Sequence, residues 1–225
     1  MLFLTGHLGR STEEAYEKCS GFAYRDMCRT IDFNADFKET KDNKPQHRQI
    51  IENKNFRKSQ VTDSIRKMVE ALLRQKPLTA DVYDRYFYQT CDNIISIFDG
   101  TTEHPGNSLC FGQAQKWVNM TMKNLYVYSK SKPDCELDLE PLLPFMHVPI
   151  DNYILDIVCG NKPKMCWIDS GAVTYGLTRP KTAWSLWDVA AYQAFRDELN
   201  RCICKNFQQI PPLRWELRHW STVEK

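Results

Sequence analysis

Apolar residues recur at three- and four-residue intervals over most of this chain, the period of an amphipathic helix. Ser11-Thr12-Glu13-Glu14 has the form of a capping box, in which serine and glutamate side chains satisfy backbone donors at a helix start. It predicts a helix over 12–28, with Ala15, Cys19, Phe22, Ala23 and Met27 along one stripe. From 30 to 55 the period gives way to charge, Asn and a proline, so a long connection is expected there. Periodicity returns at Ser59 through Val61, Ile65, Met68, Val69, Leu72 and Leu73, and Pro77 ends the run. Thr79 is placed to cap a further helix carrying Val82, Tyr86, Ile94, Ile97 and Phe98 to Asp99-Gly100.

His104-Pro105-Gly106-Asn107 is a turn cluster, and a helix over 113–128 follows it. Pro133, Pro141 and Pro144 leave 129–146 as an irregular excursion. Pro149 suits the first turn of a short helix reaching 158, because a proline's missing N–H costs nothing there. A glycine-bearing loop spans 159–179. Thr182 or Ser185 is expected to cap a last long helix to about 205, buried through Trp184, Trp187, Val189, Tyr192, Phe195, Leu199 and Ile203. Pro211-Pro212 then breaks the chain before a Trp-rich tail. No stretch alternates well enough to require a sheet, and no repeat is present. The pattern predicts an all-α chain of about seven helices. It reads as a single domain over 1–225, with two closely packed lobes and a cleft between them.

Composition narrows this picture only slightly. At 225 residues, 42% of them hydrophobic, the chain can bury a core of ordinary size. A formal charge of +2 does not announce a nucleic-acid binder. The charge is unevenly spread, however, with eleven basic against five acidic residues over 38–76 and four acids within 134–140. Nine cysteines include no Cys-x-x-Cys pair, which fits free thiols in a reducing compartment and a cytoplasmic location. No apolar run approaches a membrane span, so no membrane partner is expected.

Two short motifs carry chemistry. Phe111-Gly112-Gln113-Ala114-Gln115-Lys116-Trp117-Val118-Asn119 is a glycine turn entering a helix, with a lysine one turn in. His147-Val148-Pro149-Ile150-Asp151-Asn152 is a proline-led helix start carrying an aspartate. Read singly, Lys116 is a solvated lysine sharing a face with Asn119 and Lys123, and Asp151 is an acid favoured by a helix dipole.

Together the motifs resemble the helix-hairpin-helix superfamily of DNA glycosylases. In that family a glycine hairpin leads into a helix bearing the catalytic lysine, and a Pro-(Val/Ile)-Asp motif supplies the catalytic aspartate. Gly112 stands four residues before Lys116, and Val148-Pro149-Ile150-Asp151 matches the second motif. The interval of 35 residues between Lys116 and Asp151 is most similar to the archaeal 8-oxoguanine glycosylase branch. The second hairpin glycine is replaced by Ala114, and no four-cysteine iron–sulfur motif is present.

The resemblance implies that the fold is an orthogonal helical bundle, that Lys116 and Asp151 are catalytic, that backbone amides at Gly112 and Ala114 bind a DNA phosphate, and that the partner is duplex DNA with a flipped base. It implies excision of a damaged or modified base, an oxidised purine first, in DNA repair or in defence against foreign DNA. His147, Trp117, Gln113 and Asn119 are the candidate pocket residues. No cofactor, no metal and no obligate protein partner are expected. The main alternative is a non-catalytic helical module that binds nucleic acid or protein, in which Lys116 and Asp151 point apart. A metal-dependent hydrolase using His104, His147 and Asp151 lacks any paired ligand spacing.

Overall fold

In the computed structural model the described residues are 11–27, 44–99, 109–132, 135–160, 175–207 and 210–221. Among them there is no strand, and the chain is all-α. Ser11 Oγ accepts the Glu14 N–H at 3.2 Å and opens α1, Thr12–Met27. The stripe Ala15, Cys19, Ala23 and Met27 is buried, while Phe22 lies at its margin.

Helix α2, Lys44–Arg74, is longer than its apolar period suggests. Residues 44–55, expected to be loop, are helical. Lys, Gln, Arg and Glu dominate there and favour helix without needing an apolar stripe, and Pro45 falls in the first turn, where its missing N–H is harmless. The remainder of the expected connection lies outside the described residues. Val61, Ile65, Met68, Val69 and Leu72 form the buried face of α2 as predicted. Thr79 Oγ1 accepts the Val82 N–H at 3.3 Å to start α3, Ala80–Asp99. Its buried stripe is Tyr83, Phe87, Cys91, Ile94 and Phe98, rotated from the expected one, so that Tyr86 flanks the core and Val82 is only half-buried.

Helix α4, Phe111–Ser131, is the axis of the molecule. It packs against α1 and α3, and also against a 3-10 turn at Trp184–Leu186 and α6, Val189–Asn206. Being covered on several sides, it buries polar residues as well as apolar ones, Gln113, Gln115, Lys116, Asn119 and Lys123 among them. A period-based reading assigns these to solvent, because it presumes a helix with one wet face.

The excursion over 129–146 is in part ordered, by a 3-10 turn at Glu140–Phe145. The short helix α5, Asn152–Val158, begins later than expected, and Pro149 lies in its extended approach rather than in its first turn. The last long helix is likewise shorter. Trp184 and Trp187 are buried but sit ahead of α6, whose N-cap is Asp188, with Oδ1 accepting the Ala191 N–H at 2.8 Å. The tail folds as α7, Pro212–Ser221, a helix led by proline rather than ended by it. Among the described residues, buried side chains from all seven α-helices join in one continuous core. The turn cluster at His104 lies outside the described residues.

Candidate active site

Asp151 caps α5, and its two carboxylate oxygens have separate tasks. Oδ1 accepts the N–H groups of Tyr153 and Ile154, at 2.9 and 3.2 Å. This satisfies two donors that a helix start leaves open and places the negative charge where the helix dipole favours it. Oδ2 is left to face α4, where it meets Lys116 Nζ at 2.8 Å. The lysine is fixed from the other side by the indole of Trp184, whose ring centroid is 4.8 Å from Nζ, within cation–π range.

Lys116 and Asp151 line one cavity of about 200 Å³, together with Asp26, Met120, Pro149, Tyr153, Ile154 and Glu216. It is smaller than the roughly 300–1,000 Å³ that suits drug-sized ligands, and of a size for one planar ring or one sugar. The lysine side chain is 9% exposed and the aspartate 22%, so the pair is shielded yet reached by solvent. A second lysine–carboxylate pair stands behind it. Lys123 Nζ, two turns along α4, meets Glu216 Oε1 of α7 at 2.5 Å, and both residues are buried.

The other residues expected at the site lie elsewhere. His147 is buried in a network with Asp84, Tyr192 and Arg196. Burial pushes its imidazole below the ordinary histidine range, and the Arg196 charge adds to this against the Asp84 hydrogen bond. Trp117 is wholly buried, its indole N–H donating to Ser20 O and Oγ, both at 3.1 Å. Gln113 is spent on the helix start, its Oε1 accepting the Cys110 N–H at 2.9 Å. Asn119 donates to Gln115 Oε1 and to Tyr192. None of the four lines the cavity: α4 turns Gln113, Trp117 and Asn119 into the core, and His147, in the segment ahead of α5, points to Asp84 and Tyr192.

The phosphate-binding role expected of Gly112 and Ala114 also gives way. The Gly112 N–H donates to Trp187 O at 2.9 Å, and the Gln113 and Ala114 N–H groups donate to Cys110 O at 3.0 and 3.1 Å. The start of α4 is covered by the 184–187 turn. The glycine is required for a different reason, since a Cβ at 112 would lie 1.8 Å from the Trp184 carbonyl oxygen.

Sequence reasoning missed Asp26, Met120, Glu216 and Trp184. Met120 and Lys123 follow Lys116 at i+4 and i+7, the spacing of one helical face, so that signal was present in the sequence. Asp26, Glu216 and Trp184 arrive from distant elements, and nothing local marks them.

Among the described residues no group of three or more His, Cys, Asp or Glu side chains could hold a metal ion. His147 and Asp151, two of the residues considered as ligands, are committed to different partners. The described residues also include no helix long and apolar enough to cross a membrane. No family model, no curated protein and no solved structure matches this chain.

Proposed function

We propose that this chain is a DNA glycosylase with AP lyase activity, in which Lys116 is the nucleophile and Asp151 its acidic partner. One observation carries the reading: an amine and a carboxylate 35 residues apart meet at 2.8 Å on the wall of a ring-sized cavity. The resemblance of the motifs at 111–119 and 147–155 to helix-hairpin-helix glycosylases points the same way.

In this chemistry the neutral amine attacks C1′ of a deoxyribose. The C1′–N bond breaks, and its electron pair leaves with the base, which takes up a proton. Loss of the amine's second proton and opening of the sugar ring give a Schiff base between Nζ and C1′. A base then removes a C2′ proton, the C2′–C3′ double bond forms as the C3′–O bond breaks, and the 3′-phosphate leaves, which cuts the strand. Asp151 Oδ2 is the atom placed to accept the lysine's proton, and its charge favours positive character on the sugar. The helix amides on Oδ1 hold the carboxylate in place, so little reorganisation accompanies reaction. The target nucleotide must be extruded from the duplex to reach the amine. A damaged or modified base, with an oxidised purine first, is the substrate class, and the setting is DNA repair or defence against foreign DNA.

Borohydride trapping tests this directly. The protein incubated with duplex DNA holding an abasic site, 8-oxoguanine or another modified base should give a covalent adduct on reduction. Lys116→Ala should abolish it. No adduct on any of these substrates, or an adduct that survives Lys116→Ala, overturns the reading and leaves a helical module whose ion pair only caps a helix.

A further inference from the structure

The segment 147–151, which delivers Asp151 to Lys116, is held at both ends by one buried chain of hydrogen bonds. At its far end His147 Nε2 lies 2.8 Å from Asp84 Oδ1, and Arg196 Nη1 lies 2.8 Å from Asp84 Oδ2. His147 Nδ1 lies 3.1 Å from the Tyr192 hydroxyl, which accepts the Asn119 amide N–H at 3.1 Å. The same Asn119 amide donates to Gln115 Oε1 at 3.0 Å. Gln115 Nε2 then donates to Gly112 O and to Ile150 O, both at 2.9 Å. Ile150 is the residue before Asp151.

The donors and acceptors along this chain fit only one direction. A carboxylate can only accept, so Nε2 of His147 carries the proton and donates to Asp84. Nδ1 is then an acceptor, and the Tyr192 O–H donates to it. That leaves the Tyr192 oxygen to accept from Asn119, which fixes the Asn119 amide nitrogen toward Gln115 Oε1. The Gln115 amide nitrogen is thereby turned toward the Ile150 carbonyl. The Arg196–His147 approach of 3.2 Å is two donors converging on the shared carboxylate of Asp84. No side chain of this chain of bonds lines the cavity, so the chain touches no reacting atom.

We infer that Gln115 is a positioning residue for the Lys116–Asp151 pair, fixing the Ile150 carbonyl and with it the approach of Asp151, and that Tyr192 couples this hold to the His147 end of the segment. Gln115 is adjacent to Lys116 on α4, so one residue ties the helix of the amine to the extended segment that carries the carboxylate. The consequence for catalysis rests on the glycosylase reading. The geometric claim does not, and it has its own readout.

The geometric arm measures labelling of Lys116 by a small amine reagent such as trinitrobenzenesulfonate, followed by peptide mass spectrometry with exposed Lys130 as internal standard. Gln115→Met, of similar shape but without donors, should label at Lys116 about tenfold faster than wild type, the scale set by the one of its three lost bonds, to Ile150 O, that bears on Asp151. Tyr192→Phe, which keeps the ring and removes the coupling hydroxyl, should label faster by a smaller factor, and it carries the test if Gln115→Met does not fold. Val118→Ala destabilises the same helix outside the chain and should leave Lys116 labelling at the wild-type rate. Labelling of Gln115→Met or Tyr192→Phe no faster than Val118→Ala overturns the inference.

The catalytic arm measures single-turnover trapping on abasic DNA, where Gln115→Met should slow the reacting step with substrate affinity unchanged. If wild type forms no adduct, the glycosylase reading fails while the labelling arm still decides the positioning claim. If wild type forms the adduct and Gln115→Met matches it in both arms, the positioning claim alone fails.

Discussion

Lys116 and Asp151 share a 2.8 Å hydrogen bond that uses only one of the two carboxylate oxygens, the other being held by the amides of α5. Cap and ion pair can therefore be separated by substitution. Asn caps about as well as Asp, whereas Ala loses about 1 kcal/mol of helix stability. Asp151→Asn keeps the cap but leaves the Lys116 ammonium without its counter-charge, so it should melt below the wild type and above Asp151→Ala, and it should reduce the borohydride-trapping rate by about 10²-fold or more, the scale of a lost acid–base group. Asp151→Ala should lose the trapping rate and stability together. Thermal denaturation alongside trapping separates the two, and full trapping by Asp151→Asn would remove the carboxylate from the mechanism.

Two helical glycines should respond to alanine with opposite signs. Gly21 in α1 has open space where a Cβ would go, so Gly21→Ala should stabilise by about 0.5–1 kcal/mol through helix propensity. Gly112 in α4 has the same propensity gain available, but its Cβ would overlap the Trp184 carbonyl, which is backbone and cannot swing aside. Gly112→Ala should destabilise by about 1–3 kcal/mol or more, as overpacking does. Urea denaturation of both variants checks the pair. A stabilised Gly112→Ala would mean that the Trp184–Leu186 turn is not seated on α4.

The buried Lys123–Glu216 pair ties α4 to α7 on the cavity side. Lys123→Met keeps the length of the stem and removes the charge, leaving a carboxylate only 2% exposed without this ammonium. Such a change costs about 3–5 kcal/mol, whereas replacing both partners by apolar residues is often close to neutral. Lys123→Met should thus be markedly less stable than Lys123→Met/Glu216→Leu. A double variant no more stable than the single one would show that the ion pair is not the term linking the two helices.

What could be read from the sequence was whatever depends on neighbours along the chain. The Ser11 and Thr79 caps, the buried face of α2, and the Lys116–Met120–Lys123 stripe all follow from spacing within one helix. The face of α4 occupied by Gln115 and Asn119 could not be read this way. Its polarity says solvent, and only the packing of Tyr192 and the 147–151 segment makes it interior. The same holds for Gly112, a hairpin glycine by motif and a packing glycine by contact with Trp184. Asp26 and Glu216 reach the cavity through tertiary arrangement alone, and no local pattern distinguishes them from other surface acids.

Acid should weaken the fold through the network that holds His147. The imidazole is fully enclosed by Asp84 from α3 and by Tyr192, Arg196 and the more distant Asp197 from α6. Burial, joined by the Arg196 charge, lowers its pKa, the Asp84 hydrogen bond offsetting only part of this. Asp84 moves downward too, because although burial alone would raise it, the hydrogen bond from His147 and the charge of Arg196 prevail. For a base whose folded pKa is depressed, the unfolded chain binds the proton first. Stability is therefore fully present above the unfolded value of about 6.5 and falls as pH drops below it, by at most about 1.4 kcal/mol per pH unit until the folded pKa is reached. Asp84 adds its loss only at much lower pH, below the ordinary carboxylate range. Protonation would also put a hydrogen on Nδ1, facing the Tyr192 O–H that donates to it, and would break the single direction in which these hydrogen bonds can run. Urea denaturation between pH 7 and 5 should show this fall in the wild type and a flatter profile in His147→Gln, which is less stable at pH 7 but has no imidazole to charge. An equal slope in the two proteins would mean that His147 takes up its proton as readily folded as unfolded, which its enclosure between Asp84 and Tyr192 forbids.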